Sequence, residues 1–232
     1  MKNIAIIPAR SGSKGLRDKN IAKLNGKPLM YYSIRAAIDS GEFDEVMVST
    51  DSEKYAEIAR KCGANVPFLR STGNSLDSSG TWDAVREMLA AYRTIGKSFD
   101  YVMVLQPTSP LRSSDDIKMA FEIHKKKQGT NVVSVVEVEH PIQWCFRLDG
   151  SLSMREFAQS PYNAMRRQEL EMFYRENGAI YLVDAVKIME EGYNLYDDNC
   201  FACVMPRERS VDIDYEIDLR VAEIMMNRQE KL

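Results

Sequence analysis

Apolar residues gather in short runs that recur along the chain: Ile4 to Ile7, Val46 to Val48, Tyr101 to Leu105 and Val132 to Val138. Rich in β-branched residues and lacking a polar alternation, they predict strands buried on both faces. The segments between them keep a helical rhythm. Tyr55, Ile58, Ala59 and Cys62 share one face, as do Trp82, Val85, Leu89 and Tyr92, and later Ile117, Ala120, Phe121 and His124. Strand, helix and strand in alternation predict an α/β fold around a mostly parallel sheet. Such sheets bind ligands beyond the carboxyl ends of their strands, which directs attention to the loops opening near Pro8, Ser49 and Gln106.

Between residues 139 and 173 neither period is sustained, although Trp144, Phe146, Phe157, Tyr162, Met165 and Phe173 lie there. The expectation is a small protruding arm of a single domain spanning 1–232, its aromatics buried against a second copy in a homodimer; the alternative is a flap folded over the site. Regular patterning returns with Gly178 to Val183 and Cys200 to Met205. It ends in an amphipathic helix marked by Ile217, Val221, Ile224 and Met225.

With 232 residues, 44% of them hydrophobic, the chain can bury one substantial core. Its 31 basic and 34 acidic residues give a formal charge of -3, so neither nucleic acid nor membrane is an expected partner and any phosphate binding must be local. The first apolar run is too short for a signal peptide or membrane span, and four cysteines suit a reducing compartment, so a cytoplasmic location is expected. Cys200 and Cys203 form a C-x-x-C without a second ligand pair and read as packing residues.

One local concentration of charge follows the first strand. From Pro8 to Asn20, the cations Arg10, Lys14, Arg17 and Lys19 are interleaved with Ser11, Gly12, Ser13 and Gly15. Glycines and serines allow close backbone approach to an anion, while Arg10 and Lys14 can neutralise a triphosphate. The spacing matches neither a Walker loop nor a dinucleotide fingerprint, and a solvated basic loop is the plain alternative. Asp212 and Asp214 have period-two spacing, which puts two carboxylates on one side of an extended segment and suits Mg2+. Capping of the last helix by Asp214 explains the same spacing equally well. Gln106 leaves a strand in a turn stiffened by Pro107 and Pro110, and its amide can donate and accept at once. Ser113 and Asp116 read as a helix cap. The two histidines, His124 and His140, have no partners that would make a nucleophilic triad.

Taken in order, IPARSGSKGLRDKN at 7–20, STDS at 49–52, LQPTSPLR at 105–112, RQEL at 167–170, YRENGAIY at 174–181 and SVDIDYEIDL at 210–219 resemble the acylneuraminate cytidylyltransferases. That resemblance implies a Rossmann-like fold of the nucleotide-diphospho-sugar transferase type and transfer of CMP from CTP to a nonulosonic acid. It implies Arg10, Lys14, Lys19, Asn20, Arg70 and Thr81 on the nucleotide, with Ser11 and Gly12 in the same loop. Gln106, Arg167 and Tyr181 would contact the sugar acid, and Asp212 and Asp214 would hold Mg2+. Thr81 stands where some members have Ser, and Gln143 stands where some sialic-acid enzymes have Lys, which opens the choice of sugar to legionaminate. A KDO cytidylyltransferase and a non-catalytic nucleotide-binding regulator are the rival readings.

Overall fold

The computed structural model describes residues 1–12, 15–75, 79–128 and 131–229; Lys14 lies outside them. In chain order the elements are β1 (Asn3–Pro8), the hairpin β2 (Lys23–Leu24) and β3 (Lys27–Pro28), α1 (Leu29–Ser40), β4 (Glu45–Ser49), α2 (Glu53–Lys61), α3 (Thr81–Thr94) and β5 (Tyr101–Val104). The second half holds α4 (Ser114–Lys127), β6 (Asn131–Glu137), the one-turn α5 (Arg155–Ala158), β7 (Tyr174–Asp184), β8 (Cys200–Val204) and α6 (Glu216–Gln229). Helix α1 carries a buried stripe of Leu29, Met30, Ile34 and Ala37.

The central sheet has the order β4-β1-β5-β7-β6-β8. Pairings β1–β4, β1–β5 and β6–β8 are parallel, whereas β7 runs antiparallel between β5 and β6. The expected mostly parallel α/β sheet is therefore present, with one reversed strand at its centre. Successive crossovers from β1 go first to β4 and then to β5 on its other side. That reversal opens a crevice at the carboxyl ends of β1 and β5.

Strand β7 starts at Tyr174, four residues before the apolar signal at Gly178, and its register with β6 is broken: Val133 faces Tyr181, yet Val135 faces Glu176. Within the break Gly178 takes φ 72, a left-handed conformation that glycine adopts without Cβ strain. The Ser134 hydroxyl fills the gap, accepting from Ile180 N at 2.7 Å and bonding Asn177 Oδ1 at 2.6 Å.

One apolar layer, including Met30, Ile34, Tyr55 and Ile117, packs α1, α2 and α4 on one sheet face; another, including Val85, Met88, Leu89 and Tyr92, packs α3 on the other. A smaller cluster of Leu24, Leu29, Leu111, Ile213 and Ala222 joins α6 to the hairpin. Residues 139–173 hold little regular structure. Phe146 and Phe157 pair at 5.2 Å, while Leu148, Leu152, Met154 and Met172 remain exposed.

Candidate active site

Three segments distant in sequence meet at the crevice. The loop after β1 is tied to the Asp212–Asp214 segment by Leu16 N donating to the Asp214 carbonyl at 3.2 Å. The turn after β5 is tied to the same segment by Ile213 N donating to the Thr108 carbonyl at 2.8 Å. Gly15 is required at this junction because a Cβ there would sit 2.6 Å from the Asp214 carbonyl oxygen. Ile213 is fully buried and anchors the segment, leaving Asp212 and Asp214 exposed on either side of it.

A cavity of about 350 Å³ results, lined by Arg10, Gly15, Lys19, Asn20, Arg70, Thr81, Gln106, Thr108 and Asp214 among others. Five of the nucleotide-side residues expected from the sequence are thus together: Arg10, Lys19, Asn20, Arg70 and Thr81. Lys19 Nζ meets Asp214 Oδ1 at 2.9 Å, and the half-exposed pair is accessible from the cavity. Asn20 is buried and donates to the Arg10 carbonyl at 3.0 Å, closing the loop on itself. Arg70 is buried, held by Ser49 Oγ at 3.1 Å and the Ser49 carbonyl at 2.8 Å; burial lowers its pKa, against the opposing charges of Asp51 and Glu87. Ser79, Gly80 and Thr81 bring the N-terminus of α3 to the same space, adding its partial positive charge.

Ser11 is directed elsewhere. Its amide and hydroxyl donate to the two oxygens of Asp51 at 2.8 and 2.7 Å, so both donors fix the loop to the end of β4. Gly12 follows with φ 79. Asp51 lies in the STDS motif, but a partner 40 positions away has no local sequence signal.

Although Asp212 is solvent-exposed, its carboxyl is raised above the ordinary aspartate value by partial desolvation among its neighbours and by the charge of Asp214, against a bond from Thr108 and the charge of Lys19. Exposure to solvent tempers these effects. Upstream, Arg209 grips Asp116 at 2.8 and 2.9 Å, and Ser113 caps α4 as expected. Burial alone would raise the Asp116 carboxyl, but the bonds from Arg209 and Ser113 outweigh it and hold the group below its usual range. Asn177, also buried, donates to Ser210 Oγ at 3.0 Å, so β7 positions the residue that leads into Asp212.

Gln106 turns its carbonyl towards Ser33 Oγ and the buried Arg112, whose pKa burial lowers to about 9. Its side chain separates the first cavity from a second of about 290 Å³, lined by Thr81, Trp82, Gln106, Glu176, Tyr181, Asn194, Leu195 and Tyr196. Tyr181 donates to Glu176 Oε2 at 3.0 Å and meets the Trp82 ring edge-on at 5.8 Å. Burial and the neighbouring carboxylate push its phenol pKa up.

The other two expected sugar contacts lie apart from these. Arg167 pairs with Glu137 at 3.4 Å beside a separate hollow, and Gln143 donates to the Glu171 carbonyl at 3.3 Å. Neither lines the cavities that contain Gln106 and Tyr181. No helix among the described residues is long and apolar enough to cross a membrane.

Similarity to known proteins is consistent with this layout. The chain is 36% identical over 225 residues to the pseudaminic acid cytidylyltransferase of Campylobacter jejuni, covering 97% of this chain and 96% of that protein. It is 37% identical to the CMP-N,N'-diacetyllegionaminic acid synthase of Legionella pneumophila, with 97% of each covered. It is 40% identical to the N-acylneuraminate cytidylyltransferase of Streptococcus agalactiae over 94% of this chain, spanning 52% of that longer protein. Among solved structures, a CMP:2-keto-3-deoxy-manno-octonic acid synthetase shares the fold at a TM-score of 0.71, 16% identity and coverage of 99% and 100%. Residues 4–230 match the family described as cytidylyltransferase, and the chain belongs to that family.

Proposed function

We propose that the protein transfers CMP from CTP to the anomeric hydroxyl of a nonulosonic acid, N-acetylneuraminate or a close relative, and releases pyrophosphate. The observation that carries this reading is the pair of adjoining cavities. One is cationic and sits at the topological switch point; the other is lined by hydrogen-bonding side chains, and Thr81 and Gln106 stand between them. In the reaction the hydroxyl oxygen bonds to the α-phosphorus, the bond from that phosphorus to the pyrophosphate oxygen breaks, and the hydroxyl proton passes to solvent. Arg10, Lys19 and the α3 N-terminus neutralise charge that grows on the phosphates, and the sheet ends hold the reactants in line.

Asp212 and Asp214 supply two hard oxygen donors two residues apart whose charges repel, Asp214 lining the cationic cavity and Asp212 a separate hollow with Arg207, Ser210 and Asp218, and such a donor pair fits a divalent cation. Magnesium held there would supply further neutralisation of the phosphate oxygens. Legionaminate and pseudaminate suit the second cavity as well as N-acetylneuraminate does, and relatives carry each of these names. The apolar residues exposed on 139–173 support a homodimer, in which Gln143 and Arg167 would serve the neighbouring subunit's sugar. A cytoplasmic location accords with four free cysteines.

The test is pyrophosphate release from CTP with a panel of N-acetylneuraminate, legionaminate, pseudaminate and KDO, with products identified by mass. Release with one of the first three supports the reading. Release with KDO alone, or with none, refutes it. Light scattering during gel filtration reports the dimer directly; a monomer at micromolar concentration would return Gln143 and Arg167 to a role within their own chain.

A further inference from the structure

We infer that Glu176 is a specificity-determining residue whose carboxylate receives the N–H of an acylamino substituent on the sugar acid, a role that rests on the function proposed above. Glu176 lines the second cavity from β7, at the edge of the register break. Its Oε1 accepts from Tyr196 Oη at 2.5 Å and its Oε2 from Tyr181 Oη at 3.0 Å. Both phenol protons are thereby committed to the carboxylate. What the three side chains still present to the cavity is lone pairs, because an ionised carboxylate accepts at about four sites and each phenol oxygen keeps acceptor capacity. A row of acceptors selects a donor and repels an anion, so the sugar's own carboxylate is directed elsewhere and a neutral donor is admitted.

The same cavity also has apolar lining residues. Leu195 is 7% exposed, and the ring of Trp82 is held edge-on to Tyr181. An N–H donor beside a small apolar surface is the outline of an acylamino group, whose N–H meets Glu176 while its methyl lies against Trp82 and Leu195. A bare hydroxyl satisfies the acceptors but leaves that surface uncovered. Charge-assisted hydrogen bonds of this kind are among the stronger ones in a binding site.

Glu176→Gln tests the assignment, since it is nearly isosteric and replaces one acceptor with a donor. Wild type and variant are compared with N-acetylneuraminate, legionaminate, pseudaminate and KDO, the last lacking an acylamino group, and with CTP at fixed sugar. For any acylamino sugar that the wild type uses, kcat/KM should fall roughly tenfold or more, mainly through KM for the sugar, with KM for CTP unchanged. An unchanged sugar kcat/KM overturns the proposal. So does a loss confined to CTP, which would place the cytosine amino group against Glu176 instead. Should the wild type transfer CMP to none of these acids, the functional reading falls first and takes the subsite with it.

Discussion

Asn177 is the residue whose removal tests the framework most directly. Its amide oxygen accepts from Ser134 Oγ at 2.6 Å and Ala179 N at 3.2 Å, while its nitrogen donates to Ser210 Oγ at 3.0 Å, all within the protein interior. Asn177→Ala deletes three polar bonds worth about 1 kcal/mol each and leaves buried partners unsatisfied, a total of about 3–5 kcal/mol. At roughly 2–4 °C per kcal/mol for a domain of this size, the melting temperature should fall by roughly 6–20 °C. A second effect follows from where Ser210 leads. With that anchor lost, the Asp212–Asp214 segment gains freedom, and turnover measured well below the melting point should depend more steeply on magnesium. Ser210→Ala separates the effects: it removes the acceptor for the Asn177 nitrogen while the amide oxygen keeps its bonds from Ser134 and Ala179, so magnesium dependence should change with a smaller loss of stability. Thermal unfolding and magnesium titration of both variants are the assays. If Asn177→Ala melted within about 2 °C of wild type with unchanged magnesium dependence, the buried amide would not clamp the Asp212–Asp214 segment.

Asp212→Asn and Asp214→Asn should each fold yet lose about 10²-fold or more in turnover, the scale of one electrostatic stabiliser; near-normal rates at limiting magnesium would remove that residue as a ligand. Arg10→Ala should lower kcat more than it weakens CTP binding, and an effect confined to the Michaelis constant for CTP would make Arg10 a holding residue. Asp116 supplies a pH test: its folded pKa lies below the unfolded value, so its stabilisation is complete above about pH 4 and is lost as pH falls through the lower folded value. Asp116→Asn should therefore flatten the acid limb of a stability–pH curve, and an equally steep limb in the variant would refute the Arg209 pairing as its cause.

Most of the sheet was legible because buried strands announce themselves: the runs at Ile4, Val46, Tyr101 and Val132 became β1, β4, β5 and β6. The direction of β7 was not, since a period of two residues is the same read either way. Its first residues, Tyr174, Arg175 and Glu176, are polar and exposed and give no burial signal. On the nucleotide side, clustered cations marked the loop, and the structure gathers Arg10, Lys19, Asn20, Arg70 and Thr81 around one cavity. What the sequence withheld were long-range pairings. Ser11 with Asp51, Asn177 with Ser210, and Glu176 with Tyr196 each join segments that come together only when the sheet forms.

Under the proposed function, the division of the crevice has an evolutionary consequence. Because the two cavities meet at Thr81 and Gln106 while the remaining walls of the second come from α3, β7 and the loop before β8, substitutions there can alter what is accepted without disturbing the loop, the buried Arg70 or the carboxylate pair. A lineage could then exchange one acid for another by a few changes at positions such as 176, 194 and 196. Overall resemblance would barely register the exchange; relatives named for three different acids are 36%, 37% and 40% identical to this chain.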